Sequence, residues 1–294
     1  MAKILLTGCH GQLGTDCLSV LGAAHDVTGV DIDRLDIASS KAVDRAVRAC
    51  QPEVIINCAA FTKVDACEDA FEAAWRANSE GPANLAKACA RFGARLIHIS
   101  TDYVFDGKKS VPEPYTESDP PNPLSVYGST KLAGEERIME ALKDHVILRT
   151  AWLYGRGGAN FISAILKKAI KEPAATLRIV NDQYGSPTWS YQLAGQIARL
   201  LESPARGVYH ASAEGYCTWH ELAVQVFSKL GISASITPCT TAEYPTPAAR
   251  PKNSILENAR LKKENIHAMA DWRDGLSRFF QTHGEELVEH IRNS

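Results

Sequence analysis

Lys3-Ile-Leu-Leu-Thr7-Gly8-Cys-His-Gly11-Gln-Leu-Gly14 is an apolar run that breaks into glycines. A short apolar run bounded in this way reads as a buried strand. Gly8, Gly11 and Gly14 follow at spacings of three, where the common dinucleotide fingerprint is Gly-x-Gly-x-x-Gly. The variant spacing keeps the physical requirements. One glycine turns the chain after the strand, one lets the backbone approach a pyrophosphate, and one lets the next helix lie close on the sheet. That helix, with apolar residues at helical spacing over Gln12–Leu21, presents free N–H groups and a partial positive charge to the phosphates.

The pattern repeats outward. Asp26–Asp31, Glu53–Asn57, Arg95–Ser100 and His145–Thr150 are further apolar runs, with helical stretches such as Ser39–Cys50 and Ser79–Phe92 between them. This alternation predicts an α/β fold, a Rossmann-type doubly wound parallel sheet with helices on both faces. Asp31 ends the second strand, where adenosine ribose hydroxyls are received. Arg34 nearby suits a 2′-phosphate, so the residues leave NADPH and NADH both open. After about residue 150 the alternation loosens. Helices are expected at Ala159–Lys171 and Trp189–Leu201, strands at Leu177–Val180 and Gly207–His210, and two short helices at the end of the chain. The expected division is an NAD(P)-binding domain over 1–150 and a smaller discontinuous C-terminal lobe over 151–294, with some segments returning to the first. Two proline-rich loops, Pro112–Pro123 and Tyr244–Pro251, stand out, and long loops at such an edge are more often functional than idle.

Composition sets bounds on function. The 294 residues are 45% hydrophobic and 22% charged with a net charge of −2, so no basic excess points to nucleic acid or to an anionic membrane. No apolar stretch approaches the roughly 20 residues of a membrane span, and the apolar run at Lys3 is too short for a signal peptide, so the expected location is the cytoplasm. The eight cysteines form no Cys-x-x-Cys and no cluster with His at metal-ligand spacing; they read as reduced, mostly buried thiols.

Tyr127-Gly-Ser-Thr-Lys131 carries the chemistry. Tyr and Lys at i and i+4 share one helix face, which sets a proton-donating phenol beside a positive charge. The spacing alone is weak; its position after the dinucleotide turn and after Thr101 gives it meaning. Hydride transfer to a ketone builds negative charge on oxygen, and an acid must meet that charge. Tyr127 is the candidate acid, and Lys131 is expected to lower its pKa and to hold the nicotinamide ribose. Thr101, at the end of the strand Arg95–Ser100, is placed to hydrogen-bond the substrate oxygen at the sheet edge where ligands bind.

With these residues in hand, the chain resembles the extended short-chain dehydrogenase/reductases, and within them the dTDP-4-dehydrorhamnose reductases. The resemblance runs essentially end to end. It is carried by Thr7-Gly-x-x-Gly-Gln-Leu-Gly14, Asn57-Cys-Ala-Ala-Phe-Thr-Lys-Val-Asp65, Ser100-Thr-Asp-Tyr-Val-Phe-Asp-Gly107 and Pro123-Leu-Ser-Val-Tyr-Gly-Ser-Thr-Lys-Leu-Ala-Gly-Glu135. Arg149-Thr-Ala-Trp-Leu-Tyr154, Asn181-Asp-Gln-Tyr-Gly-Ser-Pro-Thr188 and Tyr244-Pro-Thr-Pro-Ala-Ala-Arg-Pro251 extend it. It implies reduction of the C4 ketone of dTDP-6-deoxy-L-lyxo-4-hexulose by NADPH or NADH. It implies cofactor contacts from the Gly8 turn with Gly11, Gln12 and Leu13, and from Asp31, Asp36, Ile37, Ala60, Phe61, Thr62, Tyr127 and Lys131. Sugar-nucleotide contacts are implied for Thr101, Asp102 and Trp152. Arg250, by its charge and its place in the closing loop, is assigned to the diphosphate. Some members bind Mg²⁺ between subunits through carboxylates. Asp16 fits the first such position, but Tyr191 stands at the second, and a phenol is a poor ligand for a hard cation. The expectation is therefore no metal, and a monomer or weak homodimer.

Two other readings compete. A dehydratase or epimerase of the same fold would recycle its cofactor; dehydratases resemble Thr-Asp-Glu at 101–103, whereas Tyr103 stands here, and a phenol is a poor base for carbon acids at neutral pH. A non-catalytic regulatory subunit, like the β subunit of methionine adenosyltransferase, would bind NADP(H) and a partner without turnover. Stoichiometric consumption of the nicotinamide separates both from a reductase.

Overall fold

Side chains alternate across the first strand, and this alternation sets the two faces of the sheet. A computed structural model describes residues 1–293. In β1 (Lys3–Thr7), Ile4 and Leu6 point to one face and Leu5 to the other. The first face is closed by α1 (Gln12–Leu21) and α8 (Ser190–Leu201), whose Leu13, Cys17, Leu193 and Ile197 pack on Ile4 and Leu6. The second is closed by α2 (Ser40–Cys50), α5 (Gly81–Phe92) and α6 (Val126–Ala141) through Val43, Val47, Leu85 and Ile138. Burial on both faces explains why these strands read as continuous apolar runs.

The main sheet has six strands, all parallel: β2 (Asp26–Val30), β1, β3 (Val54–Asn57), β4 (Arg95–Thr101), β5 (His145–Thr150) and the strand Gly207–His210. The chain winds outward from β1 to β2, then returns to β3 on the other side and continues away from it. The C-terminal ends of β1 and β3 therefore flank a switch point, where open α/β sheets bind ligands. The mixed α/β architecture with a central parallel sheet is the one expected.

A second apolar cluster lies outside the sheet. It is built from α7 (Phe161–Lys171), α9 (Trp219–Leu230), α11 (Trp272–Asn293) and the parallel strand pair Thr176–Val180 and Ser235–Cys239. Ile162, Leu166, Val226, Trp272, Leu276 and Phe279 are its centre. Between the clusters, α8 and the strand Gly207–His210 belong to the main sheet and its cover.

Three elements differ from the sequence reading. The helix expected over Ser79–Phe92 begins at Gly81; before it come α3 (Val64–Asp69), α4 (Phe71–Trp75) and a π turn at Arg76–Glu80. Of the closing helices, only α10 (Ala259–Lys263) is short, since α11 runs for 22 residues with a buried stripe of Trp272, Leu276, Phe279 and Phe280. The helix α9 was not foreseen. All eight cysteines are unpaired, and burial pushes Cys67 up to about 11 and Cys89 up to about 12, which keeps these thiols protonated. Among the described residues, no helix is long and apolar enough to cross a membrane.

Candidate active site

The turn after β1 is built for close approach. Gly8 has φ +71°, and a Cβ there would lie 2.6 Å from the Ala59 backbone nitrogen. A Cβ on Gly14 would lie 2.0 Å from the Gly8 carbonyl oxygen, so α1 can meet the strand only with glycine at this position. Gly11 caps the helix, and Gln12 and Leu13 begin it. The Gln12 side-chain Oε1 accepts from Asn160 Nδ2 at 2.8 Å and so ties this turn to the cap of α7.

Asp31 stands beside the turn and accepts the backbone N–H groups of His10 and Ile32 at 2.9 and 2.8 Å. Farther along, Asp36 pairs with Arg76 at 3.3 Å, and Ile37 packs so closely on α5 that a Cβ on Gly81 would lie 2.5 Å from its Cγ1. The segment Ala60–Phe61–Thr62 is clamped by Asn78 from the π turn. The Phe61 N–H donates to Asn78 Oδ1 at 2.8 Å, and Asn78 Nδ2 donates back to the Phe61 carbonyl at 3.1 Å and to Thr130 Oγ1 at 3.2 Å. An extra residue in the helical turn re-aims one side chain, and π turns recur at functional sites for that reason.

The candidate catalytic residues lie at the tips of β4 and α6. Thr101 Oγ1 donates to Asp102 Oδ1 at 2.9 Å, and Ser125 caps α6 so that Tyr127 emerges in its first turn. Desolvation raises the Tyr127 pKa, against a hydrogen bond with the Thr101 side chain that lowers it. The lowering expected from Lys131 is therefore not the outcome. Lys131 is 2% exposed and donates to the Ile99 carbonyl at 2.6 Å; burial takes its own pKa down to about 8. A phenol held above its ordinary range remains an acid at neutral pH. Asp102 is also buried, and desolvation raises its carboxyl to about 6.

Gly8, Gly11, Gln12, Leu13, Asp31, Asp36, Ile37, Ala60, Phe61, Thr62, Thr101, Asp102, Tyr127, Lys131 and Trp152 all line one cleft of about 990 Å³. Arg250 is not among its lining residues. Its guanidinium makes a two-point pair with Asp65, at 3.0 and 2.8 Å, and donates to the Ala248 carbonyl, which fastens the Tyr244–Pro251 loop to α3. Arg34 is likewise absent from the lining, whereas Arg76 and His10, not singled out by sequence, are present. Trp219 is a further addition. Its indole lies flat on Trp152, with ring centroids 3.4 Å apart and planes 5° apart. Trp152 has φ +47°, strained for a bulky residue, and its ring crosses Gly185, where a Cβ would meet Cε2 at 2.4 Å. Asp16 accepts a hydrogen bond from Ser190, and Tyr191 is 46% exposed, stacked on Trp189.

Residues 2–284 match the model of the RmlD substrate binding domain family. The chain is 41% identical over 286 residues to a dTDP-4-dehydrorhamnose reductase of Streptomyces griseus, covering 94% of this chain and 92% of that protein. It is 39% identical over 282 residues to the spore coat polysaccharide biosynthesis protein SpsK of Bacillus subtilis, covering 96% and 98%. Among solved structures, the dTDP-4-dehydrorhamnose reductase of Bacillus anthracis in complex with NADP superposes with a TM-score of 0.91 at 38% identity, over 96% of this chain and 99% of that one.

Proposed function

This chain belongs to the RmlD substrate binding domain family, and on that premise we propose that it is an NAD(P)H-dependent dTDP-4-dehydrorhamnose reductase. It would convert the C4 ketone of dTDP-6-deoxy-L-lyxo-4-hexulose to the alcohol of dTDP-L-rhamnose. The observation that carries this reading is the meeting of Thr101, Tyr127 and Lys131 in the same cleft as the Gly8–Gly14 turn.

The residues fit a dinucleotide. The turn has no room for a Cβ at Gly8 or Gly14, the start of α1 faces the cleft, and Asp31 lines that cleft beside the turn as a carboxylate suited to ribose hydroxyls. NADPH or NADH supplies the hydride when bound. Asp36, Ile37 and the clamped Ala60–Thr62 segment wall the rest of its seat, and Arg76 beside Asp36 is a cation suited to a 2′-phosphate. Tyr127 gives its proton to the C4 oxygen. Thr101 orients that oxygen, and Lys131 serves the ribose and the proton balance of Tyr127. Asp102 and the Trp152–Trp219 wall hold the sugar nucleotide, an indole face being suited to a sugar or base ring. Arg250 enters as the fastener of the closing loop, through Asp65. Reduced thiols and the nicotinamide pool fit a cytoplasmic enzyme that acts as a monomer or weak homodimer without a metal.

The test is absorbance loss of NADPH, and separately of NADH, with the ketosugar nucleotide generated in the cuvette. The expected result is stoichiometric oxidation that yields dTDP-L-rhamnose. Tyr127→Phe should cut turnover by about 10²-fold or more while cofactor affinity changes much less. Tight cofactor binding without oxidation would point instead to a regulatory module, and full activity in Tyr127→Phe would remove that residue as the acid.

A further inference from the structure

Behind the reacting face a line of polar side chains crosses the sheet. Thr7 Oγ1 on β1 donates to Asn57 Oδ1 on β3 at 2.6 Å. Asn57 Nδ2 meets His98 Nδ1 on β4 at 2.9 Å, and His98 Nε2 lies 3.4 Å from Lys131 Nζ on α6. Asn57 and His98 are fully buried. One backbone group fixes the direction of every bond in this line. The Ala59 N–H can only donate, and it donates to Asn57 Oδ1 at 3.1 Å. The Asn57 amide is thus held with its NH₂ toward His98. An NH₂ cannot accept, so His98 Nδ1 carries a lone pair, and the neutral ring keeps its proton on Nε2. Burial, helped by the charge of Lys131, holds His98 well below its ordinary pKa and so keeps it neutral. Its Nε2–H points at the Lys131 nitrogen. An ammonium has no lone pair to receive that N–H, whereas a neutral amine has one.

We propose that His98, fixed in its Nε2–H form by Asn57, is a positioning residue that keeps Lys131 readily deprotonated. The kinetic part of this inference rests on the reductase reading. After Tyr127 protonates the C4 oxygen, the phenolate takes a proton from the Lys131 ammonium: an O–H bond forms, an N–H bond breaks, and phenol and amine result. The amine lone pair receives His98 Nε2–H, and water in the cleft returns the proton to Lys131. The other ionisable groups acting on Lys131 are Glu135, one turn on along α6, and Cys58 after β3, while Tyr127 lies one turn before it on the same helix. Glu135 and Cys58 raise its proton affinity, but burial outweighs both and leaves Lys131 at about 8. Glu135 itself is held by Arg149 and Ser100.

Asn57→Asp is the first variant. A carboxylate there would still accept from Thr7 and Ala59 but would draw the imidazole proton to Nδ1, so that Nε2 presents a lone pair to a Lys131 ammonium. The ammonium form exists below the lysine pKa, so the alkaline limb of kcat/KM should move up by about one pH unit or more. His98→Phe removes the opposing N–H, keeps the ring and adds no charge, so it separates the effect of the tautomer from the attraction of a new carboxylate for Lys131. It should move the limb the same way; a merely structural histidine would lower kcat at every pH and leave the limb in place. A limb that moves in Asn57→Asp but not in His98→Phe would overturn the proposal. Two substrate-free readouts accompany the kinetics: the tautomer from ¹⁵N spectra of labelled imidazole, and the Lys131 titration from its ¹³Cε shift, assigned by its loss in Lys131→Arg. An Nδ1–H tautomer in the wild type would overturn the proposal, as would a tautomer switch in Asn57→Asp with the Lys131 titration unmoved. If the wild type does not reduce the ketosugar, the reductase reading falls while these spectra still decide this one.

Discussion

Asp102 shows what a single residue costs the fold for the sake of the cleft. Its Oδ1 accepts from Thr101 and its Oδ2 is shut off from water, so the Thr101 and Ser254 side chains offset the lost hydration only in part. Desolvation raises it from 3.8 to about 6. The folded protein therefore holds this proton more tightly than the unfolded chain does, and stability falls as pH rises from below 4 through 6. Asp102→Asn keeps the shape and removes the charge. It should stabilise the protein by up to about 3 kcal/mol at pH 7.5, a gain that fades toward pH 4. Denaturant titrations at both pH values would show this; equal gains at the two would mean that the carboxyl is not desolvated in the folded state. The residues that sequence reading found here, Thr101, Tyr127 and Lys131, lie on two consecutive elements and follow a recognisable spacing. Trp219 and Arg76 carried no such signal. Trp219 arrives from far along the chain, and Arg76 faces the cleft through a helical irregularity that no local pattern announces.

At the level of elements, the contact between β1 and α1 is the most exacting. A Cβ on Gly14 would meet the Gly8 carbonyl oxygen at 2.0 Å and Cys9 Cα at 2.7 Å, both of them backbone that cannot step aside. Gly14→Ala should push α1 off the strand, moving its N-terminus and weakening NADPH binding by about tenfold or more, since tenfold is only 1.4 kcal/mol. Quenching or fluorescence titration of the cofactor reads this directly, and an unchanged Kd would mean that the turn does not hold the pyrophosphate. The inner strands β1, β3 and β5 were legible because burial on both faces leaves near-continuous apolar runs. The helix α9 was legible in principle, because Thr218 and Glu221 form a reciprocal cap that the sequence spells as Thr-x-x-Glu. The π turn at Arg76–Glu80 was not, since its register is held by the Asn78 clamp on Phe61, a contact between distant parts of the chain.

Across the whole molecule, two apolar cores meet at one cleft, and the chain passes between them repeatedly after residue 150. That shuttling is why the second half was hard to read: its strands run for only two to five residues, too short to declare their core, and the strand Gly207–His210 finds its place only beside β5. Trp152, following β5, and Trp219, opening α9, stack together against the outer cluster and line the cleft. Their face-to-face stacking, at 3.4 Å between centroids, has an optical consequence. Indoles that close share their near-ultraviolet excitation, and the pair should give a coupled circular-dichroism band that neither ring gives alone. Trp219→Phe should abolish the band, and dTDP seated against Trp152 should reshape it. The wall of the cleft is thus a built-in chromophore, able to report occupancy without any label.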